Sequence, residues 1–180
     1  MGVVMGNLRR GSTALLAVLI VAACESASGD NEPLAVETPP PATSADPLAS
    51  VRDQALNAYR GLMRDFAKAA ETADHGPSTL RRYADDQALA VLINALRLND
   101  EQNAIAQGEP KLNPTIVSAT PEKVVIEDCT DTSSVLLYNR KTGKPINDEP
   151  GGLRRIDATI SRKEIGWKAT KIRIWQVGSC

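Results

Sequence analysis

The sequence predicts an α+β domain in which N-terminal helices pack on one side of a curved antiparallel sheet. Two observations predict it. Apolar residues recur at three- and four-residue steps from Tyr59 to Ala73 and again from Ala88 to Leu96, the period of amphipathic helices. After Gly108-Glu109-Pro110 the pattern becomes a two-residue alternation rich in β-branched residues and punctuated by Gly/Pro turns, the period of strands. Helices first and antiparallel strands afterwards make an α+β arrangement.

The first helix is expected to start at Asp46-Pro47, an N-cap followed by proline at the first helical position. Tyr59, Leu62, Met63, Phe66, Ala67, Ala70 and Ala73 form its apolar stripe. His75-Gly76-Pro77 ends it, because glycine terminates helices and proline cannot continue one. Ser78 is then placed to cap a short second helix running to Tyr83. Ala88, Val91, Leu92, Ala95 and Leu96 predict a third over 85–99. Asp85 and Asp86 sit at its start, where carboxylates favour the positive end of the helix dipole.

Five strands are expected. They run over 115–119, 123–130, 134–139, 153–163 and 167–177. In the second, Val124, Ile126 and Asp128 share one face, with Val125, Glu127 and Cys129 on the other. In the fourth, Ile156, Ala158 and Ile160 point inward against Arg155, Asp157, Thr159 and Ser161. Gly166 marks a tight hairpin into the last strand.

Ahead of the domain, Arg9 and Arg10 precede an apolar run from Ala14 to Ala23 that ends at Cys24. That run is too short to span a bilayer, which needs roughly 20 residues. A basic segment, a short apolar segment and small residues make a signal peptide. Val21-Ala22-Ala23-Cys24 resembles a bacterial lipobox, so residues 1–23 are expected to be removed and Cys24 to carry the lipid. Arg9-Arg10 leaves the general secretory and twin-arginine routes both open. Residues 24–45 include Pro39-Pro40-Pro41 and no aromatic residue, the composition of a disordered Pro/Ser-rich tether. Residues 46–180 are the domain, about 135 residues and one core. The expected location is the extracytoplasmic face of the cell membrane, with the membrane itself a partner through the lipid.

Cleavage before Cys24 takes Lys+Arg from 21 to 19 against 22 Asp+Glu, a balance of −3 with His75 neutral. With no basic excess and no aromatic cluster, nucleic acid is not an expected partner. The lipobox leaves Cys129 and Cys180 as an even pair in an oxidising compartment, where a disulfide is expected. No cofactor or metal site is expected, since two cysteines without a neighbouring His or CxxC spacing make poor zinc ligands. Nucleotide, zinc-protease, serine-hydrolase and calcium motifs do not occur.

The run Ala73-Asp74-His75-Gly76-Pro77-Ser78-Thr79-Leu80-Arg81-Arg82-Tyr83-Ala84-Asp85-Asp86, in this order of elements, resembles the nuclear transport factor 2-like superfamily. It is similar to the helix junction of the polyketide-cyclase-like branch. The lipobox, spacer, domain and terminal Gly-Ser-Cys together resemble small actinobacterial lipoproteins of uncharacterised function. The resemblance implies a cone, made of three helices on a bent sheet, with a pocket at its open end. It implies no reaction, since one fold hosts many functions.

Tyr59, Tyr83, Asp157 and Trp175 are the candidates for the pocket lining. Core packing is the alternative for the two tyrosines and Phe66, and covering the sheet is the alternative for Trp167 and Trp175. Asp128 and Asp157 face either solvent or the concavity. His75, in its helix-ending turn, has no visible orienting partner for base catalysis. No residue is assigned as catalytic. The favoured expectation is a membrane-tethered module that binds a small molecule or an envelope protein. The alternative is a small polyketide-cyclase or isomerase-like enzyme acting on a hydrophobic substrate, which needs a buried acid beside a Tyr, His or Trp in the pocket. A structural accessory of a secreted complex is the third.

Overall fold

A computed structural model describes residues 46–146 and 151–180. The expected signal peptide, Cys24 and the tether lie outside the described residues.

Helix α1 spans Ala49–Ala70, α2 Pro77–Leu80 and α3 Asp86–Glu101. Six strands follow: β1 Ala104–Gln107, β2 Pro114–Ala119, β3 Lys123–Asp131, β4 Leu136–Asn139, β5 Leu153–Lys163 and β6 Gly166–Val177. Strands β2-β3-β5-β6 form one antiparallel sheet in that order, and β1 pairs with β4 in a separate ribbon. Extra residues bulge β6 where it passes Arg155 and again beside Thr159 and Ile160, and a third irregularity lies at Val117 in β2. Bulges add local twist and bend, and here they curve the sheet around the helices.

The alternation expected for β3 and β5 is what builds the core. Val124, Ile126, Ile156, Ala158 and Ile160 are buried against Ala55, Tyr59 and Leu62 of α1 and Ala88, Leu92 and Leu96 of α3. Gly61 lets α1 approach Tyr83, because an added Cβ would sit 2.6 Å from the ring Cζ. The junction between α2 and α3 is tied to β6, with Asp85 N donating to Ala169 O at 2.9 Å and Ala169 N to Tyr83 O at 2.8 Å.

Several boundaries differ from expectation for local reasons. Asp46 does not cap α1 directly; its Oδ1 accepts from Leu48 N at 2.9 Å, so a turn precedes the helix. Helix α2 has no side-chain cap: Gly76 is its N-cap residue, Asp74 Oδ1 accepts from Gly76 N at 2.9 Å to fix the turn before it, and Ser78 lies inside the helix. Asp85 caps α3 by accepting from Asp86 N at 2.9 Å. Strand β1 is an addition to the five expected strands: Ala104-Ile105-Ala106-Gln107 is too short to show a period and is recognised only by its partner β4.

Cys129 and Cys180 form a disulfide with a Cα–Cα separation of 6.0 Å. After β6, Gly178 N donates to Leu153 O at 2.7 Å and Ser179 Oγ accepts from Arg155 N at 2.9 Å. The chain thus crosses the start of β5 to reach β3, and the bridge pins its last residue.

Candidate functional site

Between the C-terminal half of α1, the β1–β4 ribbon and the inner face of the sheet lies a cavity of about 440 Å³. Met63, Phe66, Ala67 and Ala70 contribute one wall, and Ala106, Val135 and Leu137 a second. Ile156, Ile174 and Val177 form the floor. Gly108 and Gly151 let backbone close the rim: a Cβ on either would run into the main chain of Ser134 or Thr132. Gly108 also holds φ +111°, which other residues avoid.

The polar residues on this lining are Thr130, Thr132 and Arg154. Thr132 is satisfied locally, its hydroxyl donating to Gly152 O at 2.8 Å. Among the described residues, Thr130 Oγ1 and Arg154 Nε are buried without a hydrogen-bond partner. They are cross-strand partners in the β3–β5 register, so both side chains leave the same face of the sheet.

One step further in, Asp128 is fully buried. Its Oδ2 accepts from Tyr59 Oη at 2.8 Å and its Oδ1 from Asn113 N at 2.8 Å. Burial first, then the Asp128 carboxylate, pushes the Tyr59 phenol far above its ordinary value. The nearby Thr130 hydroxyl acts weakly in the other direction, although it is not placed to complete a hydrogen bond. Asp128 therefore faces the core, opposite Cys129.

The four expected lining residues lie elsewhere, for separate reasons. Tyr59 sits in the core, bound to Asp128. Tyr83 packs over Gly61 with the Arg82 guanidinium 5.0 Å from its ring centroid. Asp157 and Trp175 are on the outer face of the sheet, because their parity is opposite to that of Ile156 and Ile174. There Trp175 Nε1 donates to Asp157 Oδ2 at 2.8 Å and Arg155 Nε to Asp157 Oδ1 at 2.7 Å. Arg173 stacks 3.4 Å from the Trp175 centroid, and Arg155 also reaches Glu127 at 2.9 Å. Burial of the Asp157 carboxyl opposes its charge. The hydrogen bonds from Arg155 and Trp175 and the arginine charges outweigh it, holding the carboxyl below its usual range.

Other candidates are structural. His75 is exposed, 4.0 Å from Asp100, which also binds Arg140 at 2.6 Å. Trp167 covers the core and donates to Gln54 at 3.2 Å. Asp86 pairs with Lys163 at 2.9 Å. Among the described residues no group of His, Cys, Asp or Glu is arranged to hold a metal ion, and no helix is long and apolar enough to cross a membrane.

No family model and no curated protein matches the sequence. Solved structures do match. The intermembrane space region of the chloroplast protein ARC6 superposes with a TM-score of 0.52 at 12% identity, covering 69% of this chain and 95% of that one. The fold is α+β and cone-like. Also similar are an NTF2-like protein with a cystatin-like fold from Novosphingobium aromaticivorans (TM-score 0.45, 12% identity, 77% and 94% covered) and Aln2 from a Streptomyces species (0.47, 10%, 71% and 91%). The helices and bent sheet of this domain follow the order that the nuclear transport factor 2-like resemblance implied.

Proposed function

We propose that the domain is a binding module for a small, largely apolar molecule, held outside the cytoplasm by a lipid on Cys24. The observation that carries the binding part is the cavity itself. Its volume of about 440 Å³ falls in the range of small-molecule sites. Its lining is aliphatic and aromatic with a few polar groups, the composition that orients a ligand as well as burying it. The tether rests on the basic, apolar and small-residue segments before Cys24.

A buried acid–tyrosine pair, Asp128 and Tyr59, favours the second reading, an isomerase-like or cyclase-like enzyme. Binding is preferred because Tyr59 and Asp128 are both fully buried and neither lines the cavity. Both carboxyl oxygens of Asp128 are already engaged.

Replacing Cys24 by Ala moves the protein from the membrane fraction to the soluble one; retention in the membrane overturns the anchor. Binding is tested by titrating apolar probes into that soluble variant and into a second variant carrying Ala67→Phe, which fills the cavity. Equal binding by the two places the ligand elsewhere.

A further inference from the structure

We infer that the cavity selects an amphiphile with a carboxylate head, the head held between Arg154 and Thr130 and the tail along α1. This deepens the binding reading above and rests on it.

The inner face of the sheet grades from apolar to polar in register. Val124 pairs with Ile160, Ile126 with Ala158, Asp128 with Ile156, and Thr130 with Arg154. The first pairs are core. The last lines the cavity, and it is there that two buried polar atoms, Thr130 Oγ1 and Arg154 Nε, have no partner among the described residues. Buried polar groups are almost always paired, so unpaired donors on two residues that line a cavity point to a polar partner supplied from the cavity. Arg154 Nε–H can only donate, and the Thr130 hydroxyl can donate as well. Two donors side by side, one cationic, ask for an anionic acceptor. Asp128 does not fill that role: its oxygens are taken by Tyr59 and Asn113, and no acid among the described residues lies within ion-pair distance of Arg154.

Charge outside the cavity has the same sense. Arg60, Arg64 and Lys68 succeed one another along one face of α1 and line a wider trough. That trough shares Met63, Ala67, Gly108 and Pro110 with the cavity. Among the described residues these three cations form no ion pair, and Glu71 and Glu109 are the acids on the same trough. Beyond the Arg154–Thr130 pair, the cavity offers Met63, Phe66, Ile174 and Val177 to a hydrocarbon tail.

Titration calorimetry on the full chain carrying Cys24→Ala, with decanoate, decanol and decyltrimethylammonium, tests the inference. Decanoate is expected to bind at least about tenfold more tightly than decanol, the tenfold step being about 1.4 kcal/mol, with the cation weakest. Arg154→Gln should erase the gap between decanoate and decanol. Arg154→Lys, which keeps the charge and loses the Nε donor, and Thr130→Val should each narrow it, and both remain informative if the Gln variant does not fold. Equal affinity for decanoate and decanol in the parent protein, or a gap that survives Arg154→Gln, overturns the carboxylate inference and leaves the binding reading standing. Failure of all three probes to bind overturns both.

Discussion

Tyr59 on α1 donates its phenolic hydrogen to Asp128 on β3 at 2.8 Å, and both side chains are fully buried. With Asn113 N on the other oxygen, this one carboxyl joins the first helix, the sheet and the segment before β2. It also stands directly behind the cavity wall, one inward-facing position from Thr130.

Tyr59→Phe leaves a buried carboxyl short of a donor, which costs about 1–3 kcal/mol. Thermal melts should show a fall of several degrees, with the cavity still able to bind. The raised phenol adds a pH dependence. Its folded value lies above its unfolded one, so its contribution is complete below the unfolded value of about 10 and is lost as pH rises beyond it. Denaturant midpoints should therefore fall more steeply above pH about 10 in the parent protein than in Tyr59→Phe. Parallel curves would mean that the phenol is not held as described.

The Cys129–Cys180 bridge joins positions 51 apart. In the chain-entropy model its loss costs about 4 kcal/mol, less if the reduced chain stays compact. Reduction should lower the melting temperature and speed amide exchange at Gly178 and Arg155, whose hydrogen bonds depend on the terminal segment crossing β5. Unchanged exchange at Arg155 after reduction would show that the crossing holds without the bridge.

On the outer face, the Asp157 carboxyl is held below its usual range despite the cost of burial, by Arg155, Trp175 and Arg173. Because the folded value is the lower one, this contribution is present above the unfolded value of about 3.9 and is lost as pH falls through the folded value. Asp157→Asn should thus destabilise the protein at neutral pH, and the difference should shrink on acidification below about pH 4. A difference independent of pH would assign the effect to packing against Trp175.

Much of the architecture was legible because its periods are strong. The α1 stripe and the β5 alternation specify the two layers, and the disulfide followed from cysteine parity. Tertiary context decided the rest. Strand β1 is too short to carry a period without β4. Tyr59 and Tyr83 lie on a helix stripe and at a helix junction, and each went to the core or to a glycine contact instead of the cavity. Asp157 and Trp175 fell outside because strand parity alone gives two faces without saying which is concave. The same parity held an unused signal. The inward set Ile156, Ala158, Ile160 extends back to Arg154, and Val124, Ile126, Asp128 extends on to Thr130. Polar residues continuing an apolar face point to a site, and the register then puts these two side by side.

Methyl-resolved NMR of the protein titrated with decanoate tests the binding account most directly. Shifts confined to the cavity lining, with Met63, Val135, Leu137, Ile156, Ile174 and Val177 as reporters, are the predicted result. Shifts centred on the outer face of the sheet, or none at saturating probe, would contradict it.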